Sequence, residues 1–220
     1  ADRIRPDVGS PARRAGTGGP RACGRLWPVS RTLVVTNDFP TRQGGIESFV
    51  YALADRLPVG EVVVYTASMP GDKEFDELLP FPVVRDRASM LLPTPMVSRR
   101  VAAVLRAEGC DSVLFGAAAP LGLLADGLRT AGAQRVVGLT HGHETWWARV
   151  PAARRALRRI GDGCDVLTYV SEFCRRRVAS VLSDDVAERM VRLPPGVDTK
   201  VFRPGVGGEA GGHAGAPAGP

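Results

Sequence analysis

The stretch TLVVTNDFPTRQGGIESFVYALADRLP, residues 32–58, changes its periodicity part-way along. Thr32 to Thr36 are apolar or β-branched on both alternations, the pattern of a strand buried on both faces. From Gly45 onward the apolar side chains fall at Ile46, Phe49, Val50, Leu53 and Leu57, which make one stripe of a helix, and Pro58 stops it. A strand that runs through a loop into a helix is the opening unit of an α/β fold. Gly44 and Gly45 stand at the mouth of that helix, where unpaired N–H groups and the helix dipole favour an anion and a missing Cβ lets one come close. Their spacing fits neither the dinucleotide fingerprint nor the P-loop. Two readings of the pair therefore stand side by side: a tight turn, or a contact for phosphate.

The alternation recurs outward from this unit. Further short apolar runs are EVVVYT (61–66), SVLFG (112–116), RVVGLT (135–140), DVLTYV (165–170) and MVRL (190–193), and helical patterns lie near 96–108, 119–131, 151–159 and 172–182. Strands apolar on both faces, alternating with helices, predict a Rossmann-like doubly wound parallel sheet over residues 31–204. Residues 1–30, dense in Arg, Gly, Pro and Ala without periodicity, are expected to be a disordered leader, and residues 205–220 a disordered Gly/Ala/Pro tail in which His213 is solvated.

The chain has 220 residues, 44% of them hydrophobic, and a net charge of +6. That charge is uneven. Residues 1–31 hold seven Arg against two Asp, whereas residues 32–220 hold 22 basic and 21 acidic side chains. The folded part is nearly neutral, which argues against nucleic acid as a partner. No apolar run approaches the roughly 18 residues that span a bilayer, and no secretory pattern opens the chain, so a cytoplasmic location is expected. Cys23, Cys110, Cys164 and Cys174 form no Cys-x-x-Cys pair and read as reduced, mostly buried thiols.

Ligands of an open parallel sheet sit outside the carboxyl ends of its strands. Besides the Gly44–Gly45 loop, two segments meet that test. In THGHETWW (140–147), His141 follows a strand directly, and an imidazole there can donate a hydrogen bond to a hydroxyl or a developing charge. His143 is read as a supporting residue, because His-x-His at a strand end offers no third ligand for a metal. In YVSEF (169–173), Ser171 opens a helix and reads first as its N-cap. On the predicted helix 151–159, Arg154, Arg155, Arg158 and Arg159 gather on one side, a solvated face or a contact for an anionic membrane.

NDFPTRQGGIESFVYALA (37–54), THGHE (140–144), YVSEF (169–173) and LPPGVDTKVFRP (193–204), taken in order, resemble the retaining glycosyltransferases of family 4. Within that family the similarity is to actinobacterial GDP-mannose-dependent mannosyltransferases that extend phosphatidylinositol mannosides. The resemblance implies a GT-B fold whose amino-terminal, acceptor-side half is this chain and whose other half grips the sugar nucleotide. It implies that Gly44 and Gly45 approach the donor diphosphate, that His141 lies near the transferred sugar, and that Gly196, Val197 and Asp198 mark the crossing between halves. Asp38, Arg42, Glu144 and Ser171 are then expected to bind the acceptor.

Sugar nucleotide and glycolipid acceptor are the partners this implies, with peripheral contact at the inner face of the plasma membrane through the four arginines. No cofactor is implied, and no metal, since no Asp-x-Asp pair is present to hold a divalent ion with the diphosphate. Only sixteen low-complexity residues follow Pro204, so the second domain is expected to be missing and the 220 residues alone to have little or no transferase activity. Two rival readings remain: an inactive Rossmann-like module that binds an anionic lipid head group or a partner, and a nucleotide-dependent epimerase. Against the latter stand the missing dinucleotide fingerprint and the missing Tyr-x-x-x-Lys pair.

Overall fold

A computed structural model describes residues 30–196 and residue 199. Seven parallel strands form one sheet in the order β3-β2-β1-β4-β5-β6-β7: β1 Thr32–Val35, β2 Val62–Ala67, β3 Val83–Asp86, β4 Ser112–Phe115, β5 Arg135–Gly138, β6 Val166–Tyr169 and β7 Val191–Arg192. The helices are α1 Gly45–Ala54, α2 Asp72–Asp76, α3 Pro95–Ala107, α4 Ala125–Thr130, α5 Glu144–Trp147, α6 Pro151–Gly163, α7 Glu172–Ala179 and α8 Asp184–Glu188. The expected α/β, Rossmann-like doubly wound sheet is what the chain forms. The leader to residue 29, Val197, Asp198 and the tail from residue 205, with His213, lie outside the described residues, as does Cys23.

Both faces of the sheet are covered, as the Val-rich strands require. Leu33 and Val35 of β1 point into the larger core with Val63 of β2 and Val113 of β4, against Val101 and Leu105 of α3, Leu128 of α4 and Leu157 and Ile160 of α6. Val34, between them on the strand, points the other way and packs with Val64, Phe39, Phe81 and Val50 of α1. At the β3 edge the Tyr65 hydroxyl donates to the buried Asp86 carboxylate, and burial followed by that acceptor pushes the Tyr65 hydroxyl well above its usual range. Cys110, Cys164 and Cys174 are free and buried, and burial pushes the Cys110 and Cys164 thiols up to about 11 and about 12, where a thiolate is scarce.

Four elements escape the sequence reading. Strand β3 has only Val83 and Val84 before Arg85 and Asp86, and as an edge strand it is only part-buried along most of its length. Helices α2, α5 and α8 have four or five residues each, too short to show a period. The helix expected over 119–131 divides into a 3₁₀ turn, Leu121–Leu124, and α4. The 3₁₀ turn packs closely on α6: a Cβ on Gly122 would lie 2.6 Å from Cγ2 of Ile160, so the two meet backbone against side chain. Ile160 is fully buried at that contact. Ile160→Ala is expected to cost about 2–5 kcal/mol of stability, read from the urea midpoint.

Candidate active site

The chain adds strands in one direction from β1 to β3 and in the other from β4 to β7, so the sheet reverses between β1 and β4. In open parallel sheets the crevice beyond the strand ends at such a switch point is where ligands bind. Into it come the loop after β1, the residue after β4 and the loop after β5.

The first loop is built on Thr36 and Asn37. Thr36 Oγ1 accepts from the Asp38 amide (2.9 Å), and Asn37 clips the loop to the chain 54 residues on, donating from Nδ2 to the Leu91 carbonyl (3.0 Å) and accepting at Oδ1 from the Leu91 amide (2.7 Å). Arg85 holds the same loop from the edge strand. Its guanidinium donates to the Pro40 carbonyl (2.6 Å) and the Ala67 carbonyl (3.1 Å), grips Asp76 with two bonds (2.9 and 2.7 Å), and lies over the Phe39 ring at 5.7 Å.

Gly44 and Gly45 serve different ends. Gly44 has extended backbone (φ 171°) that any residue can adopt, but a Cβ there would lie 2.2 Å from Oε2 of Glu47. The Glu47 carboxylate folds over Gly44 and is nearly buried, with Arg42 Nε at 3.2 Å from its Oε1. Glu47 thus brings the chain's own anion to the first turn of α1. A Cβ on Gly45 would meet nothing within 4 Å, so this residue faces open space. The Gly-x-x-Glu spacing, with its acid three positions after the helix-capping residue, was the local signal for Glu47.

His141 is held by its ring. Nε2 lies 2.6 Å from the Gly116 carbonyl, which fixes the proton on Nε2 and leaves Nδ1 for another partner, and the Phe49 ring of α1 meets the imidazole edge to face, 5.5 Å between centroids at 80°. Asp38 shares this neighbourhood. Its carboxyl is raised above the usual range, chiefly by burial and then by Glu47, while Arg42, His143 and His141 pull it down. The crevice therefore brings Asp38, Arg42, Gly44, Gly45 and His141 together.

Two of the expected acceptor residues sit differently. Glu144 is wholly buried; its Oε2 accepts from the amides of His141 (3.1 Å) and Gly142 (3.0 Å), and its Oε1 lies 3.3 Å from Nε2 of His143. Ser171 caps α7, its Oγ accepting from the Cys174 amide (3.3 Å) and lying 3.2 Å from Cys174 Sγ. Gly196 follows β7 at the far edge of the sheet, with nothing within 4 Å of a Cβ placed on it, and its companions Val197 and Asp198 lie outside the described residues. Of the four arginines of α6, Arg158 donates to the Val181 carbonyl (2.7 Å) and Arg159 pairs with Asp126 (3.1 Å); among the described residues Arg154 and Arg155 make no ion pair. No described helix is long and apolar enough to cross a membrane.

Residues 43–201 match the glycosyltransferase family 4 domain, which covers the α1 mouth, the His141 loop and the end of the sheet. The chain belongs to glycosyltransferase family 4. Its relatives include the GDP-mannose-dependent alpha-(1-6)-phosphatidylinositol monomannoside mannosyltransferase of Mycobacterium tuberculosis, 46% identical over 183 residues that make up 80% of this chain and 47% of the relative. The protein of the same description from Mycolicibacterium smegmatis is 45% identical over 176 residues, 78% of this chain and 46% of that one. Among solved structures, Anabaena HepE in complex with UDP and glucose superimposes with a TM-score of 0.61 at 13% identity, over 78% of this chain and 46% of that one. The chain thus spans about half the length of the curated relatives it matches, and its Rossmann-like sheet is the amino-terminal unit of the family's GT-B fold.

The environment of Asp38 also sets a pH dependence of stability. A carboxyl raised in the folded state contributes stability that is present below the ordinary value of 3.8 and is lost as the pH rises through the folded value. At neutral pH the Asp38 charge is therefore a liability. Asp38→Asn is expected to raise the urea midpoint at about pH 7 and to lose that advantage below roughly pH 3.5, whereas an equal change at both would contradict it.

Proposed function

We propose that this chain is the acceptor-side half of a retaining mannosyltransferase that moves mannose from GDP-mannose to a phosphatidylinositol mannoside or a similar inositol lipid. The observation that carries the reading is the His141 imidazole, pinned by the Gly116 carbonyl at the switch point of the sheet. Family membership and the names of the relatives support the donor and the acceptor class.

In this reading each residue has a role that its chemistry fits. With Nε2–H committed to a carbonyl, Nδ1 of His141 accepts a hydrogen bond from a sugar hydroxyl, and as the imidazolium it donates one to developing charge. The amides at the mouth of α1, reached past the open side of Gly45, take a diphosphate oxygen. Arg42 lies half exposed at the rim and can exchange Glu47 for an anionic ligand. Asp38, with its raised carboxyl, faces the acceptor hydroxyls; Ser171, spent as a cap, contributes through the start of α7. No divalent ion is given a role. The second half of the family's fold would supply the cations that neutralise the leaving diphosphate, with Gly196, Val197 and Asp198 at the crossing.

The test uses the intact transferase with GDP-mannose. His141→Ala is expected to lower kcat by about 10²- to 10³-fold, and unchanged turnover would remove His141 from the site. A polypeptide of these 220 residues alone is expected to transfer no sugar, because transfer needs donor and acceptor aligned in one cleft.

The α6 surface carries a second proposal: Arg154 and Arg155, unpaired among the described residues, touch an anionic membrane where the lipid acceptor resides. At about 1 kcal/mol for each charge, replacing both by Ser should reduce co-sedimentation with anionic vesicles by roughly tenfold or more and leave neutral vesicles unaffected. Vesicle binding without sugar transfer by the intact protein would favour the inactive lipid-binding module instead.

A further inference from the structure

The sequence THGHE places an acid three residues after the histidine, and its surroundings give that acid a use other than touching substrate. Glu144 is 0% exposed, so no acceptor hydroxyl reaches its carboxylate in this conformation. A buried carboxylate must find hydrogen bonds or lose its charge. Glu144 finds them in its own loop, where Oε2 takes the amides of His141 (3.1 Å) and Gly142 (3.0 Å). Two successive amides converge on one oxygen because Gly142 sits at φ +107°, a region a side chain seldom enters. The other oxygen has no hydrogen-bond partner among the described residues and lies 3.3 Å from His143 Nε2.

His141 is thus anchored at two ends. Its ring is tied to Gly116 across the sheet, and its backbone is tied to Glu144 from within the loop. Neither tie alone fixes the imidazole: the ring contact leaves the backbone free to swing, and the backbone contact leaves the side-chain torsions free. The turn between them is pressed on α7, since a Cβ on Gly142 would stand 3.3 Å from Cys174 Sγ.

We infer that Glu144 is a positioning residue that sets His141 in the crevice through the two loop amides, with His143 beside its second oxygen, and that it does not bind the acceptor. This rests on the proposed role of His141 at the transferred sugar. The four residues of His-Gly-His-Glu then act in turn as the working imidazole, the turn, the neighbour of the second carboxylate oxygen and the anchor.

Kinetics of the intact transferase and spectra of the chain separate this inference from the reading beneath it. Glu144→Ala is expected to lower kcat by about 100-fold, the scale of a catalytic group displaced by about 1 Å, with KM for acceptor and donor unchanged. Glu144→Gln, whose carbonyl can still accept from both amides, should recover much of that loss. A raised KM for the acceptor with kcat intact would overturn the inference and make Glu144 a ligand. In ¹⁵N NMR of the chain, Glu144→Ala should shift the His141 and Gly142 amides and the His141 ring nitrogens, while Glu144→Gln leaves them close to their original positions. Unmoved resonances in Glu144→Ala overturn the inference as well. Should the alanine variant fail to fold, Glu144→Asp, which shortens the reach to the amides, is read in the same way. If the unsubstituted enzyme transfers no sugar, the functional reading falls, and the spectra still decide whether Glu144 sets His141.

Discussion

The site depends on how closely β1 and β4 approach at Gly116. A Cβ on that residue would lie 2.6 Å from Thr36 Oγ1, 2.7 Å from Thr36 Cβ and 3.2 Å from Val50 Cγ1, so the absence of a side chain is what lets the two strand ends and α1 meet. Its amide continues the sheet by donating to the Val35 carbonyl (3.0 Å), and its carbonyl, past the last strand residue, is taken by His141 (2.6 Å). One residue without a side chain therefore ties together the opening strand, the first helix and the His141 imidazole. The reversal of strand order happens at this place, so topology and chemistry share a single constraint.

Electrostatics in the crevice are balanced locally. Two carboxylates, Asp38 in the loop and Glu47 in the first turn of α1, stand near one guanidinium, Arg42, and burial of Asp38 makes its charge costly. The mouth of α1 thus already carries the chain's own anion, Glu47, with Arg42 beside it.

Much of this was legible in the sequence because it rests on local periodicity. The Val-rich runs and the stripe from Ile46 to Leu57 predict both the sheet and α1, since burial on two faces and on one face leave different periods. His141 was legible from its place after a strand, which the structure keeps. What escaped is long-range. Nothing near Asn37 points to Leu91, nothing near Arg85 points to Pro40, and β3 itself was hidden by its brevity. For Glu144, type and position suggested a substrate contact, and neither its burial nor its two amide bonds could be read from the sequence. Ser171 carried both readings from the start, and the capping bond is the one the structure displays.

The Arg85 clamp bears on how the molecule breathes. Edge strands open first in local unfolding, because they have a neighbour on one side only. Here the edge strand β3 carries the guanidinium that holds the Pro40 carbonyl, with Asp76 and the Phe39 ring held by the same group. Fraying at this border is thus transmitted inward: when β3 detaches, the loop bearing Asp38 and Arg42 loses the Arg85 tether and keeps the Asn37–Leu91 clip. The Asp38–Arg42 loop and the sheet margin are thereby coupled, and the geometry of the loop is linked to the stability of the edge strand.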